Sequence, residues 1–218
     1  EVFDKGFMKY GQAKGRPIFR EKLANYISKK FNVEITNENI LVSPGARFSI
    51  FTAISTLLNP GDEMIVIEPA WPAYKDCALN AGIKVRTIIT TLEEKWEPSI
   101  EQIKNTINSN TKMIVLNYPN NPTGKVLPEK LQDKIIEVAK ENNLYVLSDE
   151  IYSQYTKTNW KSILSYNYEK SIVTQSFSKS HAMTGFRVGY AIASKPTIDK
   201  MVKLEALCLT NVSEPIQY

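Results

Sequence analysis

The chain has 218 residues, 43% apolar and 23% charged, with a net charge of +4 at neutral pH, a balance that excludes a disordered or collagen-like chain and suffices for one sizeable α/β domain or two small ones. Its lysines and arginines are scattered rather than run together, which argues against a nucleic-acid-binding stripe or a polybasic membrane contact. The longest apolar runs, such as Met64–Ile67, fall far short of the roughly 20 residues of a membrane span, and no charged-then-apolar leader precedes them, so a cytoplasmic protein is expected.

Residues 1–15 read as an arm or loop ahead of a single domain spanning residues 16–218. From Pro17 to Phe31, the residues Ile18, Phe19, Leu23, Tyr26 and Ile27 recur at helical spacing behind a proline suited to a first helical turn, which predicts an amphipathic helix. Apolar runs of strand length follow at Ile40–Val42, Met64–Ile67, Val85–Ile89, Met113–Leu116, Leu144–Leu147, Ile172–Val173 and Val188–Ala193. Helical patterns fall between several of them, at Ala46–Leu58, Ala73–Ala81, Ser99–Ile107 and Pro128–Asn142, and a further one at Pro196–Leu207 follows the last. Asn59-Pro60-Gly61-Asp62 and the run Pro119 to Gly124 supply turn chemistry between elements. Such alternation predicts a three-layer α/β/α domain, its mainly parallel sheet covered on both faces. In sheets of this kind ligands bind beyond the carboxyl ends of the strands.

Cys77 and Cys208 form no CxxC pair and read as buried small apolar residues in a reducing compartment rather than as a disulfide. The single histidine, His181, excludes a within-chain site that needs several imidazoles, and metal catalysis recedes with it. Its place just after Lys179 suits packing or hydrogen bonding beside a site better than a proton relay. The chain opens at Glu1, and Ser213-Glu214-Pro215 reads as a helix start capped by the serine, close to the last residue. A piece of a longer polypeptide is expected.

Several segments at strand ends carry residues with chemical potential. In Ser43-Pro44-Gly45-Ala46-Arg47, small residues before a helix let a phosphate approach free backbone N–H groups, although one glycine in such a connection is common. Trp71, between Pro69 and Pro72, can stack on a planar ring or pack in the core. Asn121 can donate to a phenolate oxygen, while Asn121-Pro122-Thr123-Gly124 is also a good turn on its own. Asp149 closes an apolar strand and can pair with a buried cation or serve as a helix cap; Tyr152 brings a phenol to the same place or to the rim of the core. Ser176-Phe177-Ser178-Lys179 sets a lysine beside two serines, with Arg187 further along. A lysine whose amine can be neutral forms a Schiff base with an aldehyde, and serine hydroxyls with a guanidinium suit a phosphate. A surface lysine beside serines is the plain alternative.

Together these segments, in this order, resemble the class I/II aminotransferases, the aspartate aminotransferase-like enzymes of fold type I. The resemblance rests on Tyr10 to Gly15, Gly45-Ala46-Arg47, Glu68 to Tyr74, Asn117 to Gly124, Asp149-Glu150-Ile151-Tyr152 and Ser176 to Gly189. It implies the large domain of that fold, with a mainly parallel mixed sheet, and pyridoxal 5'-phosphate as cofactor. By resemblance Lys179 holds the cofactor as a Schiff base and then acts as general acid and base. Asp149 meets the ring nitrogen, Asn121 and Tyr152 the ring oxygen, and Trp71 stacks on the ring. Ala46 and Arg47, beside Gly45, bind the phosphate through main-chain amides, joined by Ser176, Ser178 and Arg187. Tyr10 resembles a tyrosine that reaches the neighbouring subunit's phosphate, which implies a homodimer. Amino acid and 2-oxo acid substrates follow, with aspartate, aromatic and branched-chain donors all open. The family's smaller C-terminal domain and its N-terminal closing segment are not in this sequence. Two alternatives share the resemblance: a lyase of the same fold, of cystathionine β-lyase or aminocyclopropane-carboxylate synthase type, and an aminotransferase-like sensor domain of a transcription regulator.

Overall fold

A computed structural model describes Gly6 and residues 9–157 and 160–218. The first predicted helix forms as α1 (Pro17–Phe31), ended by Asn32 in the left-handed conformation. Its buried side is Arg20, Leu23, Ala24 and Ile27, whereas Ile18 and Tyr26, which share the apolar helical spacing, are exposed. Arg20 takes up part of that stripe because its guanidinium is satisfied: Nε donates to the Gly15 carbonyl (3.1 Å) and Nη1 to that of Asn37 (2.6 Å). It thereby ties the segment before the helix to the body of the domain.

Seven strands form one sheet. In chain order they are β1 (Ile40–Ser43), β2 (Glu63–Glu68), β3 (Lys84–Ile89), β4 (Thr111–Leu116), β5 (Tyr145–Asp149), β6 (Ser171–Ser176) and β7 (Gly189–Ala193), arranged β1-β7-β6-β5-β4-β2-β3. Only β7 runs against the others, pairing antiparallel with β6 on one side and β1 on the other. The helices between them are α2 (Ala46–Leu57), α3 (Ala73–Asn80), α4 (Ile100–Thr106) and α5 (Glu129–Glu141), with a single turn α6 (Phe177–Ser180) after β6 and α7 (Lys195–Leu209) after β7. Alternate strand residues feed two separate cores. Ile65, Ile114, Val146 and Val173 meet α1, α4 and α5, while Met64, Met113, Leu147 and Ile172 meet α2, α3 and α7. Apolar side chains are needed on both faces, which is why the strands read as continuous hydrophobic runs. β3, on the edge, keeps Ile88 inside and exposes Ile89.

Two local expectations are corrected. Ser213 makes no side-chain cap, and the segment after it is a 3₁₀ turn, Glu214–Gln217, held to the first part of the chain: the Arg16 N–H donates to Gln217 Oε1 (2.8 Å) and Arg16 pairs with Glu214 (3.6 Å). Cys208 is exposed rather than buried, on the outward side of the last turn of α7 beside exposed Leu207, and Cys77 is half-buried; both are free thiols. Lys179 lies on a helical turn that the apolar pattern does not announce. Among the described residues no helix is long and apolar enough to cross a membrane.

Candidate active site

Because six strands share one direction, the carboxyl ends of β1, β2, β4, β5 and β6 meet the beginning of β7 along a single edge of the sheet. There β6 ends in Ser176, whose hydroxyl accepts the Ser178 N–H (3.0 Å), caps α6 and donates to the Val188 carbonyl (3.0 Å). The Tyr155 hydroxyl donates to the Lys179 carbonyl (2.6 Å), holding the same turn from the loop after β5. Lys179 is half-buried, with Nζ 5.8 Å from the centre of the Tyr152 ring. No described residue gives that amine a hydrogen bond or an ion pair. His181 points elsewhere: its Nδ1 is 2.8 Å from Ser180 Oγ, its ring lies against Phe177 and it stays outside the cavity.

Asp149 ends β5 with 3% of its surface exposed. Its Oδ2 accepts from the Tyr74 hydroxyl (2.7 Å), and its Oδ1 accepts from Thr174 Oγ1 (3.2 Å) and, at 3.4 Å, from the Ile151 N–H. Burial holds this carboxyl above its ordinary range, and the three donors offset only part of that rise. Tyr152, half-buried nearby, has its phenol pushed up by burial and by the Asp149 charge. Glu150, the next residue, turns away to Ser148, Ser162 and the Ile163 N–H, and burial raises it to about 7. In the loop after β4, the Asn117 carboxamide accepts the Asn121 N–H (3.0 Å) and donates to the Asp149 carbonyl (3.3 Å), which fixes Asn121 beside the acid.

The opposite wall is a meeting of backbones. Gly45 has φ +96°, and a Cβ there would lie 2.7 Å from Arg187 Nη2; a Cβ on Gly189 would lie 2.8 Å from the Ala46 nitrogen. Glycine at both positions lets the first turn of α2, the start of β7 and Arg187 close on one another. Gly45 has no side chain to cap α2, so the N–H groups of Ala46 and Arg47 point out of the helix without intrahelical partners. The Arg187 guanidinium donates to the carbonyls of Thr184 (2.8 Å) and Pro44 (3.0 Å), neutral partners that leave its charge unpaired by any described carboxylate. The Arg47 side chain goes elsewhere, over the Trp71 ring at 4.7 Å.

These walls enclose a cavity of about 280 Å³. It is lined by Gly45, Ala46, Arg47, Trp71, Asn121, Asp149, Tyr152, Ser176, Ser178, Lys179 and Arg187, which the sequence had singled out, and by Tyr74, Asn117, Ile151 and Thr184, which it had not. Tyr74 and Asn117 stood inside quoted segments, one in the first turn of α3 after β2 and the other directly after β4, and their polarity in otherwise apolar or turn-forming runs was the available signal. Tyr10 is not among the lining residues; it is 88% exposed. Among the described residues no three His, Cys, Asp or Glu side chains gather as a metal site.

The arrangement defines an α/β domain with a cavity at the carboxyl edge of a mainly parallel sheet, lined by a lysine whose amine has no hydrogen bond or ion pair among the described residues and by one buried acid. Solved structures that the chain resembles include aminotransferases. An aspartate aminotransferase double mutant from Thermus thermophilus superposes with a TM-score of 0.96 at 31% identity, covering 99% of this chain and 57% of that one. An aromatic aminotransferase from Pyrococcus horikoshii gives 0.95 at 31% identity, covering 100% and 60%. In sequence, aspartate aminotransferase of Thermotoga maritima is 34% identical over 98% of this chain and 58% of its own length. The family of class I and II aminotransferases matches residues 4–218, and the chain belongs to that family. It spans a little over half the length of the curated relatives it matches.

Proposed function

We propose that the protein is a pyridoxal-phosphate-dependent aminotransferase of aspartate or aromatic type, moving an amino group between an L-amino acid and a 2-oxo acid. The observation that carries this reading is that Lys179, whose amine has no hydrogen bond or ion pair among the described residues, and Asp149, buried without a bonded cation, line the same cavity. The residues fit the cofactor's functional groups. An amine for an aldehyde, an acid for a ring nitrogen, Asn121 and Tyr152 for a ring oxygen, and the N-terminus of α2 with Ser178 and Arg187 for a phosphate are all present. The Ser176 hydroxyl, already committed to capping, supports that phosphate by fixing Ser178.

When bound, pyridoxal phosphate supplies an electron sink for negative charge developing at the substrate α-carbon. Lys179 Nζ then takes the α-proton and returns it to the product side as general base and acid. Asp149 holds the ring nitrogen in its protonated form, and Trp71 keeps the ring plane fixed. The same proposal includes a cytoplasmic homodimer in which exposed Tyr10 reaches the partner's phosphate. Adding pyridoxal phosphate to the protein should produce a visible absorbance band that borohydride makes permanent. Lys179→Ala should lose that covalent link and at least about a thousandfold of transamination with 2-oxoglutarate. A band that persists in Lys179→Ala would end the assignment.

A further inference from the structure

We infer that Tyr74 is the positioning residue that keeps Asp149 ionised and aimed at the cavity. The inference deepens the cofactor reading, since it concerns the acid assigned to the ring nitrogen.

Tyr74 belongs to the first turn of α3, with no exposed surface, and its hydroxyl is the only described donor to Asp149 Oδ2. The 2.7 Å bond is the shortest that the carboxylate receives; its Oδ1 partners stand at 3.2 and 3.4 Å. Burial and the neighbouring Asp149 charge push the Tyr74 phenol well above its ordinary range, so it remains a proton donor throughout the working pH range. A buried carboxylate that lost this donor would face desolvation with two weak bonds on one oxygen and none on the other. The groups around it are Tyr152 after β5, Glu150 beside it, Lys179 on α6, Arg47 on α2 and Arg187 before β7, and none of these is bonded to Oδ2.

The same short segment also sets the stacking side chain. Trp71 and Tyr74 meet edge to face at 5.5 Å, and the Tyr74 N–H donates to the Trp71 carbonyl (3.3 Å). One helix start therefore places both a face for the ring and the donor that governs its acid.

The test is the titration of Asp149 in protein labelled with carboxyl-¹³C aspartate and free of cofactor, its resonance assigned by its loss in Asp149→Asn. Tyr74→Phe, which keeps the ring and removes the donor, should raise the Asp149 midpoint by about 1 to 2 pH units. Thr174→Val, acting on the longer bond, should raise it less. An unchanged midpoint in a folded Tyr74→Phe protein, or a larger shift in Thr174→Val, overturns the inference. Pyridoxal phosphate titrated into Tyr74→Phe should bind about tenfold more weakly, with the pH midpoint of its absorbance displaced from wild type. Should wild type fail to take up pyridoxal phosphate, the cofactor reading falls while the carboxylate titration still decides the role of Tyr74.

Discussion

Asp149, at the carboxyl edge of the sheet, receives three hydrogen bonds and opens onto the cavity, whereas Glu205, on the inner face of α7, is fully buried and receives none among the described residues. Glu205 follows Ile198 and Met201 along one helix face, and burial alone raises it to about 8. Among the described residues, neighbouring elements bring it no counter-charge: β1 has no ionisable side chain, Arg47 of α2 lies over Trp71, and Lys14 pairs with Glu38 and Asp199. Depth of burial is therefore a poor guide to a functional acid. What distinguishes Asp149 is a set of donors that make its charge tolerable and an opening through which the charge can act. Glu150 is the intermediate case, satisfied by donors yet turned into the scaffold.

Substitutions at the two acids should separate in kind as well as in size. Asp149→Asn keeps the shape and removes the charge; transamination should fall by about a thousandfold, roughly 4 kcal/mol of transition-state stabilisation, with little loss in thermal melting. An active Asp149→Asn enzyme would erase the contrast. Glu205→Met should do the reverse, leaving turnover intact and raising the unfolding free energy near pH 8 by about 3 kcal/mol. The sign follows from proton binding. With a folded pKa of about 8 against an ordinary 4.5, the folded state holds more protons between those values, so wild-type stability falls as pH rises through that window and levels off above it. Urea titrations across that range should show the slope in wild type and a flatter profile in Glu205→Met. Smallest is Tyr155→Phe, which removes the bond to the Lys179 carbonyl; a loss of about 1 kcal/mol in stability and a few-fold in turnover is expected from unfolding curves and steady-state rates.

Much of the fold and of the cavity lining was legible in the sequence, for reasons that differ by level. The strands could be located because each is apolar on both faces, and most of the site because its residues sit in short runs at strand ends, where turn chemistry and function coincide. The bond from Tyr74 to Asp149 joins residues 75 positions apart, and no local pattern carries it. Helical spacing alone could not say which stripe of α1 faces inward: Ile18 and Tyr26 share the apolar pattern yet are exposed, and Arg20 is buried among its apolar neighbours. Glu205 was hidden for a related reason: charge in a helix suggests solvent, and only the tertiary burial of that position reverses it. The reversed direction of β7 was equally silent, since its composition differs little from that of the parallel strands.

That reversal has a kinetic consequence. Ser176, Ser178, Lys179 and Arg187 all lie at or between the ends of β6 and β7, an antiparallel pair closed by one short connection, with Ser176 opposite Gly189. The same strand, on its other side, must find β1, where Ile40 sits opposite Ile192 across most of the sequence. Closing the short connection costs far less chain entropy than closing the long one. In pulse-labelled refolding, amides shared by β6 and β7 are expected to gain protection before those shared by β7 and β1. Half of the site would then be organised by neighbours in the chain before the domain has completed its sheet, and simultaneous protection of both pairs would show that it is not.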